Sequence, residues 1–250
     1  MPHDMPGYLV KTERIAIAGV PDLLIRSLLD RQQFADPLGE ARDLGISSAA
    51  WPLFGLVWPS GVRMASYLAS DLAARLAQRQ AAQPLAAPER VLELGCGLAL
   101  ASLVGHRLGV DITASDCHPL AAAFLTENLR LNGLPPMKYR HGPWALADAA
   151  PAGLPVPAKA REPVAGQFDL IVGSDVLYER DERAILAGFI ARHAAPAAEV
   201  WIVDPNRSNR AAFNRQMASL GFDMHQQRLD CAASGETAAY KGRLLVYRRA

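Results

Sequence analysis

One stretch constrains this chain more than any other: an apolar run ending in an acid, two glycines one residue apart, then an alanine-rich helix. It is VLELGCGLALAS, Val91 to Ser102. A strand that delivers the chain to a tight glycine turn ahead of a helix opens a βαβ nucleotide fold, where the glycines let backbone approach a ligand. Two spacings compete for this turn. A dinucleotide turn, GxGxxG, counted from Gly95 and Gly97, needs glycine at position 100, where Leu100 stands. That glycine serves close helix–strand packing, so Leu100 counts against NAD or FAD. The shorter spacing, acid-x-G-x-G-x-G, puts its third small residue at position 99, which Ala99 nearly fits.

The flanking acids narrow the ligand. A carboxylate beside the turn, Glu93, suits a cationic group such as the amino end of S-adenosylmethionine and suits a pyrophosphate badly. Asp116 ends the next apolar run, 19 residues beyond Gly97. From that position a carboxylate accepts both ribose hydroxyls of an adenosine cofactor.

Around the turn the pattern alternates between strand and helix. ERVLELG, VDITASD, MKYRHG, QFDLIVGSD and AEVWIVD read as strands, and apolar helical segments follow most of them. DMHQQRLDC and GRLLVYRR, joined by the turn-rich AASGE, read as a terminal hairpin. The expected fold is α/β, Rossmann-like and doubly wound: a mostly parallel seven-stranded sheet with a C-terminal antiparallel hairpin and an N-terminal helical cap. A connector near residue 85 separates a cap over residues 1–84 from a core over 85–250, the whole forming one structural domain. Residues 145–166, rich in proline and alanine, read as a surface loop. In the cap, VPDLLIRSLLDRQQF is amphipathic, and SGVRMASYLASDLAARLAQ is a helix with Ser60 as its N-cap. The aromatic segment ISSAAWPLFGLVWPSG has no clean period and reads as a folded-over lid rather than a core element.

Composition excludes several classes. The 250 residues carry a formal net charge of +1, with no long block of like charge. That gives no footing for nonspecific binding to nucleic acid or an anionic membrane. No apolar run approaches the roughly 18 residues of a membrane span. Cys96, Cys117 and Cys231 are odd in number and far apart, and the six histidines show no metal-ligand spacing. No metal is expected, and reduced thiols point to the cytoplasm. No GxSxG context surrounds Ser174, and neither it nor Cys96 reads as a nucleophile.

The order VLELGCGLALAS, then ASD, then GSDVLYE resembles the class I, seven-β-strand S-adenosylmethionine-dependent methyltransferases. WPSG (Trp58 to Gly61) ahead of the first of these strands, with Asp175-x-x-Tyr178 after the fourth, is similar to the methyltransferase-16 group, which includes protein lysine methyltransferases. The resemblance runs from about residue 20 to 210. It implies that Glu93, Gly95 and Gly97 form the cofactor turn and that Asp116 holds the ribose. Trp144 lies against the adenine, after Pro143 where the group usually has an acid. Trp58 covers the cofactor or the mouth of the site, and Ser174 belongs with the cofactor-binding residues. Asp175 and Tyr178 are the implied catalytic pair, standing where parallel strands open their ligand crevice. DPNR (Asp204 to Arg207) points at the same crevice, to meet substrate or to cap the next helix through Asn206 or Ser208.

Methyl transfer from a sulfonium is an in-line displacement that needs alignment more than covalent help. The expected function is S-adenosylmethionine-dependent N-methylation of a protein lysine, with Asp175 and Tyr178 orienting the amine and helping it shed a proton. A small-molecule acceptor, suggested by the aromatic WPLFGLVW, is the alternative, followed by a cofactor-binding module without turnover.

Overall fold

In the computed structural model, which describes residues 7–82, 88–144, 162–232 and 239–249, the chain opens with an antiparallel hairpin, β1 (Val10–Ile15) and β2 (Leu23–Leu28). A one-turn α1 (Glu40–Asp43), a 3-10 turn (Trp51–Gly55) and the long α2 (Pro59–Ala82) complete the N-terminal part. The remainder alternates: β3 (Arg90–Leu94), α3 (Leu100–Arg107), β4 (Asp111–Asp116), α4 (Ala121–Leu131), β5 (Lys138–His141), β6 (Phe168–Ser174), α5 (Ile185–His193), β7 (Ala194–Asp204) and α6 (Arg210–Ser219). Strands β8 (Phe222–Arg228) and β9 (Arg243–Arg249) close the chain. The connector at 83–87, most of the 145–166 loop and most of the AASGE turn lie outside the described residues.

Seven strands form one sheet in the order β5-β4-β3-β6-β7-β9-β8. The first five are parallel, and β9 runs antiparallel to both β7 and β8. Helices cover both faces, so the central strands are apolar on both sides. Leu92, Leu94, Ile171, Val200 and Ile202 meet Leu186, Phe189 and Ile190 of α5 and Phe213 and Met217 of α6. The alternate residues Val91, Leu170, Val172, Trp201 and Val203 meet Met64, Leu68 and Leu72 of α2.

The N-terminal region departs from expectation in three places. The amphipathic stretch after Val20 contributes a strand, β2, in place of a helix of the cap. Leu23, Ile25 and Ser27 are fully buried at period two, and α4 supplies edge partners that no helix could use. Asn132 accepts from the Leu24 N–H (3.0 Å) and donates to the Leu24 carbonyl (2.7 Å), while Asn128 Oδ1 accepts from the Arg26 N–H (2.8 Å). Two side chains thus close the outer edge of β2. Asn132→Ala leaves both polar groups of Leu24 unpaired, a loss of about 1–3 kcal/mol. Thermal melting checks it, and an unchanged midpoint removes the asparagine pairing as a source of stability.

The aromatic segment is core, not lid. Trp51 is 1% exposed and Phe54 8%; Phe54 stacks on His118 with centroids 3.7 Å apart and meets Phe124 edge-on. Leu23, Ile25, Leu28, Trp51 and Phe54 share one apolar cluster with Leu98, Leu103 and Phe124 of the sheet-bearing part. Ser60 is not an N-cap. Helix α2 already starts at Pro59, whose fixed φ suits a first helical position. The Ser60 hydroxyl instead lies 3.0 Å from the Tyr240 hydroxyl.

Candidate active site

The glycine turn follows β3 and alternates its backbone: Gly95 has φ +54°, Gly97 +52° and Ala99 +60°. Every second residue is left-handed, which is the shorter spacing written in dihedral angles. Gly97 is further constrained, since a Cβ there would stand 2.7 Å from the Phe54 carbonyl oxygen. The 3-10 turn of the N-terminal part therefore rests directly on the turn. A Cβ on Gly95 would stand 3.4 Å from Val176 Cγ1 and 3.5 Å from Trp144 Cζ2. The turn therefore faces side chains from the segments that follow β5 and β6.

Asp116 ends β4 and is tied to the turn. Its Oδ2 accepts from the Gly97 N–H (2.8 Å) and its Oδ1 from the His118 N–H (2.8 Å). Burial pushes its carboxyl up, opposed by these amide donors. Glu93 is 3% exposed on β3 and is aimed at the first turn of α3. Ser102 donates to its Oε2 from the backbone N–H (2.8 Å) and from the hydroxyl. Burial raises the Glu93 carboxyl to about 7, against these donors, with Asp116 adding to the rise. Two buried acids whose carboxyls are both raised by burial thus flank the turn, and a cationic ligand would favour their ionised forms. Burial pushes the neighbouring Cys96 thiol well up, so it stays protonated.

At the end of β6, Asp175 adopts φ +55°, a left-handed turn that a non-glycine residue holds only when its surroundings dictate it. The Asp175 N–H donates to the Val203 carbonyl (2.8 Å), and Arg207, from the loop after β7, holds the side chain. Its guanidinium donates in a fork to both carboxylate oxygens, Nε to Oδ1 at 2.8 Å and a terminal nitrogen to Oδ2 at 3.0 Å. Asn209 donates to the Leu177 carbonyl (2.9 Å) and ties the same two loops again. Neither Asn206 nor Ser208 caps α6. The helix begins at Arg210 without a side-chain cap, and Asp204 accepts the Arg207 N–H (3.0 Å). The position of DPNR after a parallel strand predicts that it faces the crevice; the bidentate grip of Arg207 has no such signal in the sequence.

The remaining positions fall as follows. A Cβ on Gly61 would stand 3.6 Å from the Ser174 hydroxyl, so WPSG meets the end of β6. Trp144 packs half-buried on the apolar cluster beneath β6, and its carbonyl accepts from Arg192. Pro143 before it is exposed. Tyr178 is 47% exposed. Trp58 is held by other partners: its indole N–H donates to the Leu53 carbonyl (2.8 Å), and the Arg31 guanidinium lies 4.9 Å over its ring. With Arg31, Lys11, Asp30 and Pro59 it lines a groove of about 450 Å³ beside the hairpin.

Residues 52–218, carrying the glycine turn, Asp116, Trp144 and Asp175, match the family described as lysine methyltransferase. The chain belongs to this family. It is 28% identical over 181 residues to the electron transfer flavoprotein beta subunit lysine methyltransferase of Mus musculus, covering 71% of this chain and 58% of the relative. Against the Rattus norvegicus protein of the same name it is 27% identical over 184 residues, with the same coverage. The chain thus spans less than two thirds of these relatives. The crystal structure of a SAM-dependent methyltransferase from Agrobacterium tumefaciens superposes with a TM-score of 0.55 at 15% identity, covering 99% of this chain and 72% of that one. That likeness shows the fold.

The residues around the turn fit S-adenosylmethionine, the cofactor of this family member. The bare Gly95 lies close to the Trp144 ring, and the buried acids Glu93 and Asp116 suit a cationic, hydroxyl-bearing ligand.

Proposed function

We propose that this chain transfers a methyl group from S-adenosylmethionine to a lysine side chain of a protein. One observation carries the reading. In a lysine methyltransferase family member, the glycine turn, Asp116, Trp144 and Asp175 all stand at carboxyl ends of adjacent parallel strands, where such sheets bind their ligands. Gly95 and Gly97 admit the cofactor, Glu93 serves its amino end, Asp116 its ribose and Trp144 its adenine, with Trp58 and Ser174 at the rim. The cofactor supplies an activated methyl group.

Asp175 and Tyr178 orient the amine. A lysine must be neutral to attack, and its free pKa is about 10.4. Arg207 occupies one acceptor site on each Asp175 oxygen, and each oxygen keeps further acceptor capacity. Asp175 thus serves as a fixed acceptor for the amine rather than a mobile one. Trp51 and Phe54 are core residues and so are not available to line a mouth for a small-molecule acceptor. No described helix is long and apolar enough to cross a membrane. The cysteines are free, so we place the protein in the cytoplasm, acting on a protein acceptor and not on nucleic acid.

The test is incubation with radiolabelled S-adenosylmethionine and cell lysate. The electron transfer flavoprotein beta subunit, which names the mouse and rat relatives, is the first purified acceptor to try. A labelled protein whose lysine carries the methyl group supports the reading; label found only in a soluble metabolite overturns it. Asp175→Asn keeps cofactor binding and lowers turnover at least about 100-fold, the scale of a lost positioning contact. Full turnover in that variant removes Asp175 from the mechanism.

A further inference from the structure

We propose that β1 pairs with β1 of a second copy of this chain, in an antiparallel two-fold contact centred on Thr12. The hairpin has one closed edge and one open one. On the closed side, Asn128 and Asn132 take the outward backbone groups of β2. On the open side the register fixes which groups are offered. The Leu29 N–H donates to the Leu9 carbonyl (3.0 Å), and partners step along the hairpin as Val10↔Leu28, Lys11↔Ser27 and onward to Ile15↔Leu23. In an antiparallel ladder the backbone of alternate residues faces the partner strand. Leu9, Lys11, Glu13 and Ile15 therefore bond to β2, and Val10, Thr12 and Arg14 present their N–H and carbonyl groups outward. Among the described residues no strand pairs with that edge.

A free edge is a template for another strand, and proteins usually blunt it with a bulge, a proline or an uncompensated lysine. Residues Val10 to Ile15 contain no proline, no glycine and no register shift. Lys11 is present, but the strand carries its own complement. Turned about Thr12, Leu9-Val10-Lys11-Thr12-Glu13-Arg14-Ile15 sets Lys11 opposite the partner's Glu13, Thr12 opposite the partner's Thr12, and Leu9 opposite the partner's Ile15. The outward residues fall into hydrogen-bonded pairs. Lys11 and Glu13 fall into the close, non-bonded pairs where cross-strand attraction is strongest, while Arg14 stands opposite the partner's Val10. A two-residue slip sets Lys11 against the partner's Lys11 or Glu13 against the partner's Glu13, and a one-residue slip sets Lys11 against the partner's Thr12 or Arg14, so charge selects this alignment. A strand from another protein would need that same charge pattern by chance; a second copy has it by symmetry. Apolar surface flanks the edge and would be covered: Leu9 is 59% exposed, Leu29 43% and Val10 39%.

Sedimentation velocity on the full chain across a concentration series to about 100 μM tests this. The wild-type chain is expected to pass from monomer to dimer. Thr12→Pro deletes an outward N–H that the protomer does not use, so it should melt like the wild type and dimerise at least about tenfold more weakly. The decisive readout is charge. Lys11→Glu and Glu13→Lys, each alone, set like charges opposite one another and should be monomeric, while a mixture of the two variants restores opposite pairs and should form a heterodimer. A wild-type chain that stays monomeric throughout overturns the proposal, as do single variants that dimerise like the wild type or a mixture that fails to associate.

Discussion

Replacing Glu93 with glutamine should stabilise the ligand-free protein at high pH and weaken its hold on S-adenosylmethionine. Burial raises the Glu93 carboxyl from 4.5 to about 7 in the folded chain. Between those values the folded protein carries a proton that the unfolded chain has released, so stability falls as pH rises through this window. At about 1.4 kcal/mol per unit, the wild type loses on the order of 3 kcal/mol that the glutamine variant keeps. Asp116, also raised by burial, adds in the same direction. The measurement is urea unfolding at pH 4 and pH 8: the gap between variant and wild type should open in favour of the variant. Glutamine retains an acceptor for Ser102, so a loss of cofactor affinity reports the missing charge rather than a collapsed turn. The cofactor's ammonium favours the ionised carboxylate, so wild-type affinity should rise as pH passes about 7 and the variant's should not. Equal affinity in both proteins at pH 8 would reduce Glu93 to a packing residue that ties β3 to α3.

Gly97→Ala should be the most damaging small substitution in the site. The left-handed φ of +52° disfavours any side chain, and the new Cβ would lie 2.7 Å from the Phe54 carbonyl oxygen. That neighbour is backbone in a buried turn and cannot swing away. Strain and forced displacement together should remove about 2–4 kcal/mol of stability. Cofactor affinity should fall as well, because the Gly97 N–H would leave Asp116. Ala99 supplies the opposite experiment two residues on. It already holds a side chain at φ +60°, so Ala99→Gly should relax the turn and leave stability unchanged or raised by up to about 1 kcal/mol. Calorimetric melting of the two variants decides it: similar behaviour at positions 97 and 99 would show that the contact with Phe54 does not govern the turn.

Where local pattern and tertiary partner agree, the sequence is a sufficient guide. The central strands are buried on both faces, and near-continuous apolar runs such as ERVLELG and AEVWIVD have no alternative fate. The turn is legible because its glycines and acids are dictated by backbone conformation and ligand charge, both local properties. PDLLIRSLLD is less so. Its apolar residues fit a helical stripe as well as an alternating strand, and the choice is made by Asn128 and Asn132 more than 100 residues away. WPLFG has no period because a 3-10 turn buries residues irregularly, and it packs on His118 and Phe124, which nothing nearby in sequence announces. Arg207 is the plainest case. A basic residue in a loop after a strand says little, and only the meeting of two loops shows that it grips Asp175.

The asparagine seam between α4 and β2 bears on how this chain can be shortened or recombined. A truncated chain starting where the family match begins, at residue 52, would discard the hairpin. Leu98, Leu103 and Phe124 would then lose their cover, and Asn128 would be left inside an apolar wall with nothing to receive. Grafting the leading segment of a relative meets the same obstacle unless the facing side of α4 travels with it. The hairpin of β1 and β2 and the segment from α4 to Asn132 are therefore one inheritance, expected to change together or not at all.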